Sequence, residues 1–291
     1  MIPTFVIFLR EGIEASMIVA ILLAYLKQIG QRRHFRDLYI GVAAAFAIDG
    51  AGGIAAYLLI KHYSGSNVQA YFETATYLIA AGSLTFTTLW MQRHARTMAK
   101  QLRARSDVAL SRGSRVGMAF LAFQAVWREG LETMVFTLAI LFASTSQAPT
   151  PGRGHLLLLG ALLGIVVALV LAFAIYRLGA KINLKWFFRI LGVTLMFFAA
   201  GLLANAIENL QQLGWLPFAK QTLWNSSGAI TQSSNLGDVL HSFIGYADQP
   251  TALQGLVWIV YLALTISAFV MIGRVKPKPS PVLAESIPAE R

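Results

Sequence analysis

The sequence predicts an all-α, polytopic membrane protein with seven transmembrane helices, built as a 3+3 inverted repeat plus one extra helix. The N-terminus is expected outside and the C-terminus in the cytoplasm. Three observations predict this. Of the 291 residues, 56% are hydrophobic and only 13% charged, a membrane composition rather than that of a soluble core of this size. Seven segments approach the roughly 20 apolar residues that a bilayer crossing needs. One charged five-residue run occurs twice, 118 residues apart, each time inside such a segment.

The seven segments are Pro3–Lys27, Leu38–Ile60, Tyr71–Met91, Gly117–Ser144, Leu156–Leu178, Trp186–Glu208 and Ala252–Gly273. No basic stretch precedes the first, and Arg10 interrupts it, so it reads as a retained span and not a cleaved signal peptide. The second and fifth carry Gly50, Gly52, Gly53, Gly160 and Gly164, which suit close helix packing. The gaps after the first, third and fifth segments and the C-terminal end hold nineteen of the 24 Lys and Arg residues. The opposite side holds three, Lys61, Arg153 and Lys220, and the two repeated runs hold the rest. Positive charge stays in the cytoplasm, which sets the orientation.

Between the third and fourth segments, Arg93–Arg115 reads as a solvated basic loop, with a short helix on the anionic inner leaflet as the alternative. The long outer segment Asn209–Thr251 reads as a loop whose Trp215, Phe218, Trp224 and Phe243 suit interfacial anchors or a partner's docking. Residues 276–291 contain four of the nine prolines and read as a disordered cytoplasmic tail. Residues 1–275 then form one transmembrane domain: repeat one about 3–91, repeat two about 117–208, and the extra helix about 252–273.

The repeat shows in three places. Arg10–Glu11–Gly12–Ile13–Glu14 returns as Arg128–Glu129–Gly130–Leu131–Glu132. Leu38–Gly41 returns as Leu157–Gly160, and Ala80–Leu84 as Ala199–Leu203, both 119 residues on. Three spans is an odd number, so the second copy enters the membrane from the opposite face. Folds of this kind place their substrate near the midplane, at the interface between repeats.

Composition also excludes chemistry. There is no Cys, hence no disulfide, thiolate metal site or thiol redox centre. The net charge of +11 comes from residues in the gaps between apolar segments, which speaks for topology and not for nucleic acid. No H-E-x-x-H run occurs, and no Ser–His or Cys–His pair lies within a span, so an enzyme is not expected.

The charged runs carry the expected chemistry. A charge at the bilayer centre costs about 3 kcal/mol on insertion scales, and intramembrane ionisable residues are functional candidates by default. On a helix Glu11 and Glu14 share a face, as do Glu129 and Glu132, while Arg10 reaches Glu14 and Arg128 reaches Glu132 at i,i+4. At 1.5 Å per residue, Glu14 lies ~16 Å from one end of its span and Glu132 ~22 Å from the other end of its own. Both fall near the middle of a ~30 Å core, where antiparallel helices can bring the four carboxylates together. Four Glu and two Arg leave a net charge of −2 if all ionise, which calls for a cation. Carboxylates suit hard ions. The five histidines fall outside the spans, so iron in either oxidation state, Mn²⁺, Mg²⁺ and protons remain. The alternative is that each Arg–Glu pair only ties helices together. Among other acids, Glu73 and Glu208 sit near the outer ends of their spans and could line an entrance or simply be solvated. Asp49 is mid-span, either facing protein or on the pathway.

The doubled R-E-G-x-E, once in the first span and once in the fourth of seven, resembles the oxidase-coupled high-affinity iron permease family. Its bacterial ferrous-iron permease branch is the better match in length. Glu73 opening the third span, Ala199–Leu203 leading to Glu208, and Gly245–Tyr246 before the last span add to the resemblance. It implies iron import across the plasma membrane, the bacterial inner membrane, with Glu11, Glu14, Glu129 and Glu132 handling iron and Arg10 and Arg128 also required. It implies no cofactor beyond the transported Fe²⁺ or Fe³⁺. It implies a separate periplasmic or extracellular oxidase or delivery protein, and membrane lipid as the surrounding partner. Fungal relatives carry an acidic outer loop, whereas Asn209–Thr251 has only Asp238 and Asp248. A proton-coupled carrier of Mn²⁺ or Mg²⁺ using the same carboxylates is the alternative function. A receptor or assembly subunit with a structural charge cluster is a third. Nothing in the sequence sets an oligomeric state.

Overall fold

The computed structural model describes residues 1–62, 66–94, 98–111, 115–145, 153–178, 184–232 and 234–274. The tail expected at 276–291 lies outside them. Among the described residues the chain has nine α-helices, one 3-10 turn (Arg32–His34) and a single isolated bridge between Thr222 and Thr251. The helices are α1 Ile2–Gln28, α2 Phe35–His62, α3 Asn67–His94, α4 Met98–Ser111, α5 Arg115–Thr145, α6 Arg153–Leu178, α7 Leu184–Gln212, α8 Asn235–Ile244 and α9 Ala252–Arg274.

Each of the seven expected segments falls inside one long helix: α1, α2, α3, α5, α6, α7 and α9. Among the described residues, four regions qualify by length and composition as membrane-crossing: Arg32–Leu58, His155–Ala174, Arg189–Gln212 and Ala252–Gly273. They lie on α2 with the 3-10 turn that precedes it, and on α6, α7 and α9. Helices α1, α3 and α5 have 27, 28 and 31 residues, each ~40 Å or more and thus long enough. Their charged and polar residues lower their hydropathy. The most apolar window of α7 is 67% buried, against 17% for those on α2 and α6 and 22% for α9. Helix α7 is therefore the central post, and the other three present apolar surface outward.

Packing follows a few pairings. Helix α1 lies along α6, α2 along α5, and α3 along α7, while α9 closes against α7. Glycines allow the first two pairs to approach closely. Gly41 of α2 lies against the backbone carbonyl of Ala119 in α5, and Gly160 of α6 lies against the carbonyl of Met1 at the start of α1. A side chain at either position would meet backbone atoms that cannot swing aside. Gly41→Ala and Gly160→Ala are therefore each expected to cost about 1–3 kcal/mol. Gly50, with open space around it, serves as the control: Gly50→Ala should be neutral or stabilising by up to about 1 kcal/mol. Apparent melting temperatures of the three purified variants check this.

Two apolar clusters divide the bundle along its axis. One joins Ile7 of α1 with Tyr77 and Leu84 of α3, Phe136, Ile140 and Phe142 of α5, and Leu195, Phe198 and Leu202 of α7. The other joins Ile18, Leu22 and Leu26 of α1 with Leu38 of α2, Leu102 of α4, and Met118 and Leu121 of α5.

Two segments differ from expectation. Arg93–Arg115 is not a solvated loop throughout, because Met98–Ser111 forms helix α4. Leu102 and Ser106, one turn apart, are buried, and Leu102 joins the second cluster. The positive charges mask this one-sided pattern in the sequence. The outer segment holds helix α8, started by Ser234, whose side chain accepts from Gly237 N–H at 3.0 Å, and ended by Gly245 at φ +69. Such caps are local signals, and here they lie in a stretch too short to read as a span. Phe243 of α8 is no interfacial anchor, since it packs on the first cluster 6.3 Å from Phe198. Trp215, Phe218 and Trp224 are exposed.

Candidate functional site

One face of α1 reads Ile7, Glu11, Glu14, Ile18, Leu22, with spacings of three and four that stack side chains on one stripe. All five are buried. The stripe faces α5, which contributes Val126, Glu129, Phe136 and Ile140. The two apolar clusters therefore bracket a thin polar layer made by the charged runs.

In that layer Glu11, Glu14 and Glu129 converge. Each offers a carboxylate oxygen, and the three oxygens lie within 4.8 Å of one another. Each residue is at most 5% exposed. Arg10, equally buried, places Nη1 2.7 Å from Glu11 Oε1 and Nε 2.9 Å from Glu14 Oε1. The other oxygens are short of partners: Glu11 Oε2, Glu129 Oε2 and Glu132 Oε2 are buried without a hydrogen bond. Buried acceptors of this kind are rare and costly in a settled core. A metal ion, which carboxylate oxygens bind readily, would satisfy them.

The second run is not a copy of the first. Glu132 stands one turn beyond Glu129, outside the group of three. Its Oε1 is 3.5 Å from Arg128 Nε, as is Glu129 Oε1. The Arg128 side chain is 46% exposed, against 4% for Arg10, and its guanidinium sits 5.3 Å over the Trp90 ring of α3. Arg10 is thus the only one of the two arginines inside the polar layer. The buried unit of Arg10, Glu11, Glu14 and Glu129 carries a net charge of −2 when ionised, and the pair Arg128–Glu132 adds nothing to it.

Asp49 and the outer acids occupy different places. The Asp49 carboxyl lies against Gly130, inside the second run, and neither of its oxygens has a partner. Glu73 and Glu208 line a cavity of about 320 Å³ between α3, α7 and the segment around α8. Both are satisfied by amides. Glu73 accepts from Gln69 at 2.7 Å and Asn209 at 3.4 Å, and Glu208 from Gln212 at 3.2 Å and Gln254 at 3.1 Å. The same cavity is lined by His241, which is buried and donates Nδ1–H to the Tyr246 carbonyl at 2.8 Å. Sequence reasoning placed His241 in a loop and missed it. The signal available was the Ser234 and Gly245 caps around it. Tyr77 forms part of the cavity wall and also belongs to the first apolar cluster, so that cluster stands between the cavity and the carboxylates.

Residues 1–276 match the profile of the iron permease FTR1 family. The chain belongs to the iron permease family. A ferrous iron permease EfeU from Escherichia coli O6:K15:H31 (strain 536 / UPEC) is 33% identical over 276 residues, covering 93% of this chain and 96% of the relative. One from Yersinia pestis is 31% identical over 274 residues, covering 92% and 93%. No solved structure matches. Together with the apolar helices, membership makes this iron permease a multi-pass membrane protein.

Proposed function

We propose that this permease imports iron across the bacterial inner membrane, binding the ion as Fe²⁺ between α1 and α5 on a shell of Glu11, Glu14 and Glu129, with Glu132 one turn beyond as a fourth iron-handling carboxylate. Arg10 and Arg128 hold those carboxylates in place. The observation that carries the proposal is the buried group of three carboxylates with orphaned oxygens beside a single arginine. Its charge of −2 balances a divalent ion, which favours Fe²⁺ over Fe³⁺. Family membership and relatives named ferrous iron permeases favour iron among the hard cations. Membership also favours a transporter over an enzyme, with no cofactor needed beyond the transported ion.

The seven-span, inverted-repeat reading finds support in the pairing of helices. A two-fold relation that exchanges α1 with α5 and α2 with α6 turns the pair α1–α6 into α5–α2. Both pairs exist. The glycine contacts correspond too: Gly41 on Ala119 and Gly160 on Met1 are related by shifts of 118 and 119 residues. With the N-terminus outside, the Glu73 and Glu208 cavity opens outward and serves as the entrance, and residues 1–275 act as one transport domain. Few acids line the outer segment, so a periplasmic oxidase or delivery protein would hand the ion directly to this cavity.

Transport by the purified protein in liposomes tests the proposal, with Fe²⁺ and chelated Fe³⁺ offered separately. Uptake of Fe²⁺, outcompeted only weakly by a hundredfold excess of Mn²⁺ or Mg²⁺, is the expected result. Preferential uptake of Mn²⁺ or Mg²⁺ coupled to protons would instead establish the alternative carrier.

A further inference from the structure

We propose that Asp49 is a further ion-handling residue of the transport cycle: the carboxylate with which the α2–α5 pair retains the metal once α1 has moved away. This rests on the carboxylate cluster being the transport site, and it adds a residue that the resting cluster does not contain.

Packing does not require a carboxyl at this position. Asp49 of α2 sits against Gly130 of α5, and both of its oxygens are buried and unpartnered. At the corresponding place 119 residues on, Ala168 of α6 sits against Gly12 of α1, where an added Cβ would come within 2.8 Å of the alanine methyl. The repeat thus supplies its own control, since a methyl group fills the same seat. Retaining an unsatisfied acid where alanine suffices lowers stability, so the group serves another purpose.

That purpose follows from how the ligands are shared. Glu11 and Glu14 belong to α1, which is locked to α6. Glu129 belongs to α5, which is locked to α2. Close glycine contacts make each pair a rigid unit. Inverted-repeat transporters move such units against one another. When these two part, the three-carboxylate shell splits two to one, and α1 would keep the ion. Asp49 travels with Glu129 and Glu132, whose Oε2 atoms are also unpartnered. With Asp49 the α2–α5 unit carries three carboxylates and can take the ion.

The experiment compares Asp49→Ala, Asp49→Asn and Glu129→Gln in liposomes, reading Fe²⁺ uptake, Fe²⁺ affinity by thermal protection, and melting temperature. Asp49→Ala should melt at or above the unmutated protein, bind Fe²⁺ within about twofold, and transport about tenfold more slowly, with Asn giving no rescue. Unmutated transport by Asp49→Ala while Glu129→Gln fails would overturn this inference alone. Loss of binding with transport would also overturn it, by putting Asp49 in the resting site. So would a lowered melting temperature that Asn restores together with transport, which marks a packing role. Unmutated transport by Glu129→Gln would remove the cluster reading itself.

Discussion

Glu14→Gln is expected to abolish iron uptake, by about 100-fold or more, while leaving the amount of protein in the membrane unchanged. The substitution keeps the shape of the side chain and removes one charge from a layer in which three carboxylates are buried with one buried arginine, Arg10, paired to two of them. It exchanges a carboxylate ligand for a neutral amide and shifts the charge of the unit from −2 to −1, so a divalent ion is no longer balanced. Binding without transport gives an independent readout. An ion that binds only the folded state stabilises it by about 2.7 kcal/mol at 100 times Kd, so Fe²⁺ should raise the melting temperature of the unmutated protein and not of the variant. Glu132→Gln should have a smaller effect, about tenfold on uptake, because Glu132 stands outside the group of three. Uptake at the unmutated rate in Glu14→Gln would end the assignment of this layer as the binding site.

The two arginines provide the second large effect, as a contrast. Arg10→Ala leaves Glu11 and Glu14 buried with no countercharge, and removing one partner of a buried ion pair costs about 3–5 kcal/mol. Arg128→Ala removes long contacts from a half-exposed side chain, a pair worth about 1 kcal/mol or less, and a cation–π contact of similar size. Arg10→Ala should therefore be poorly folded or strongly destabilised, and Arg128→Ala close to unmutated in melting temperature. Equal losses in both would mean that the arginines are equivalent and that the half-exposed position of Arg128 is not the one that matters in the membrane.

The seven long helices were legible because apolar runs of this length have few other solutions, and the polar layer was legible because Glu and Arg so rarely occur inside such runs. Helix α8 was not, and helix α4 was legible only as the alternative to a solvated loop, since each is short, one-sided and set among polar residues, and its apolar stripe is visible only once the partner surface is known. The unequal burial of Arg10 and Arg128 was not legible either. Their local sequences are nearly identical, and what separates them is a neighbour, Trp90, contributed by a third helix. Asp49 was ambiguous for the same reason. Its meaning depends on Gly130 opposite, 81 positions away along the chain.

The dry collars on either side of the carboxylates have a bioenergetic consequence. A membrane that stores energy as a proton gradient is discharged wherever a proton-conducting file of water crosses it, because protons hop along such files far faster than any metal ion is carried. Among the described residues, Phe136, Phe142 and Tyr77 pack on one side of the carboxylates and Leu22, Leu26 and Met118 on the other, and narrow apolar constrictions of this kind shed water. Collars of this kind would let a cell keep many copies idle without discharging its own battery.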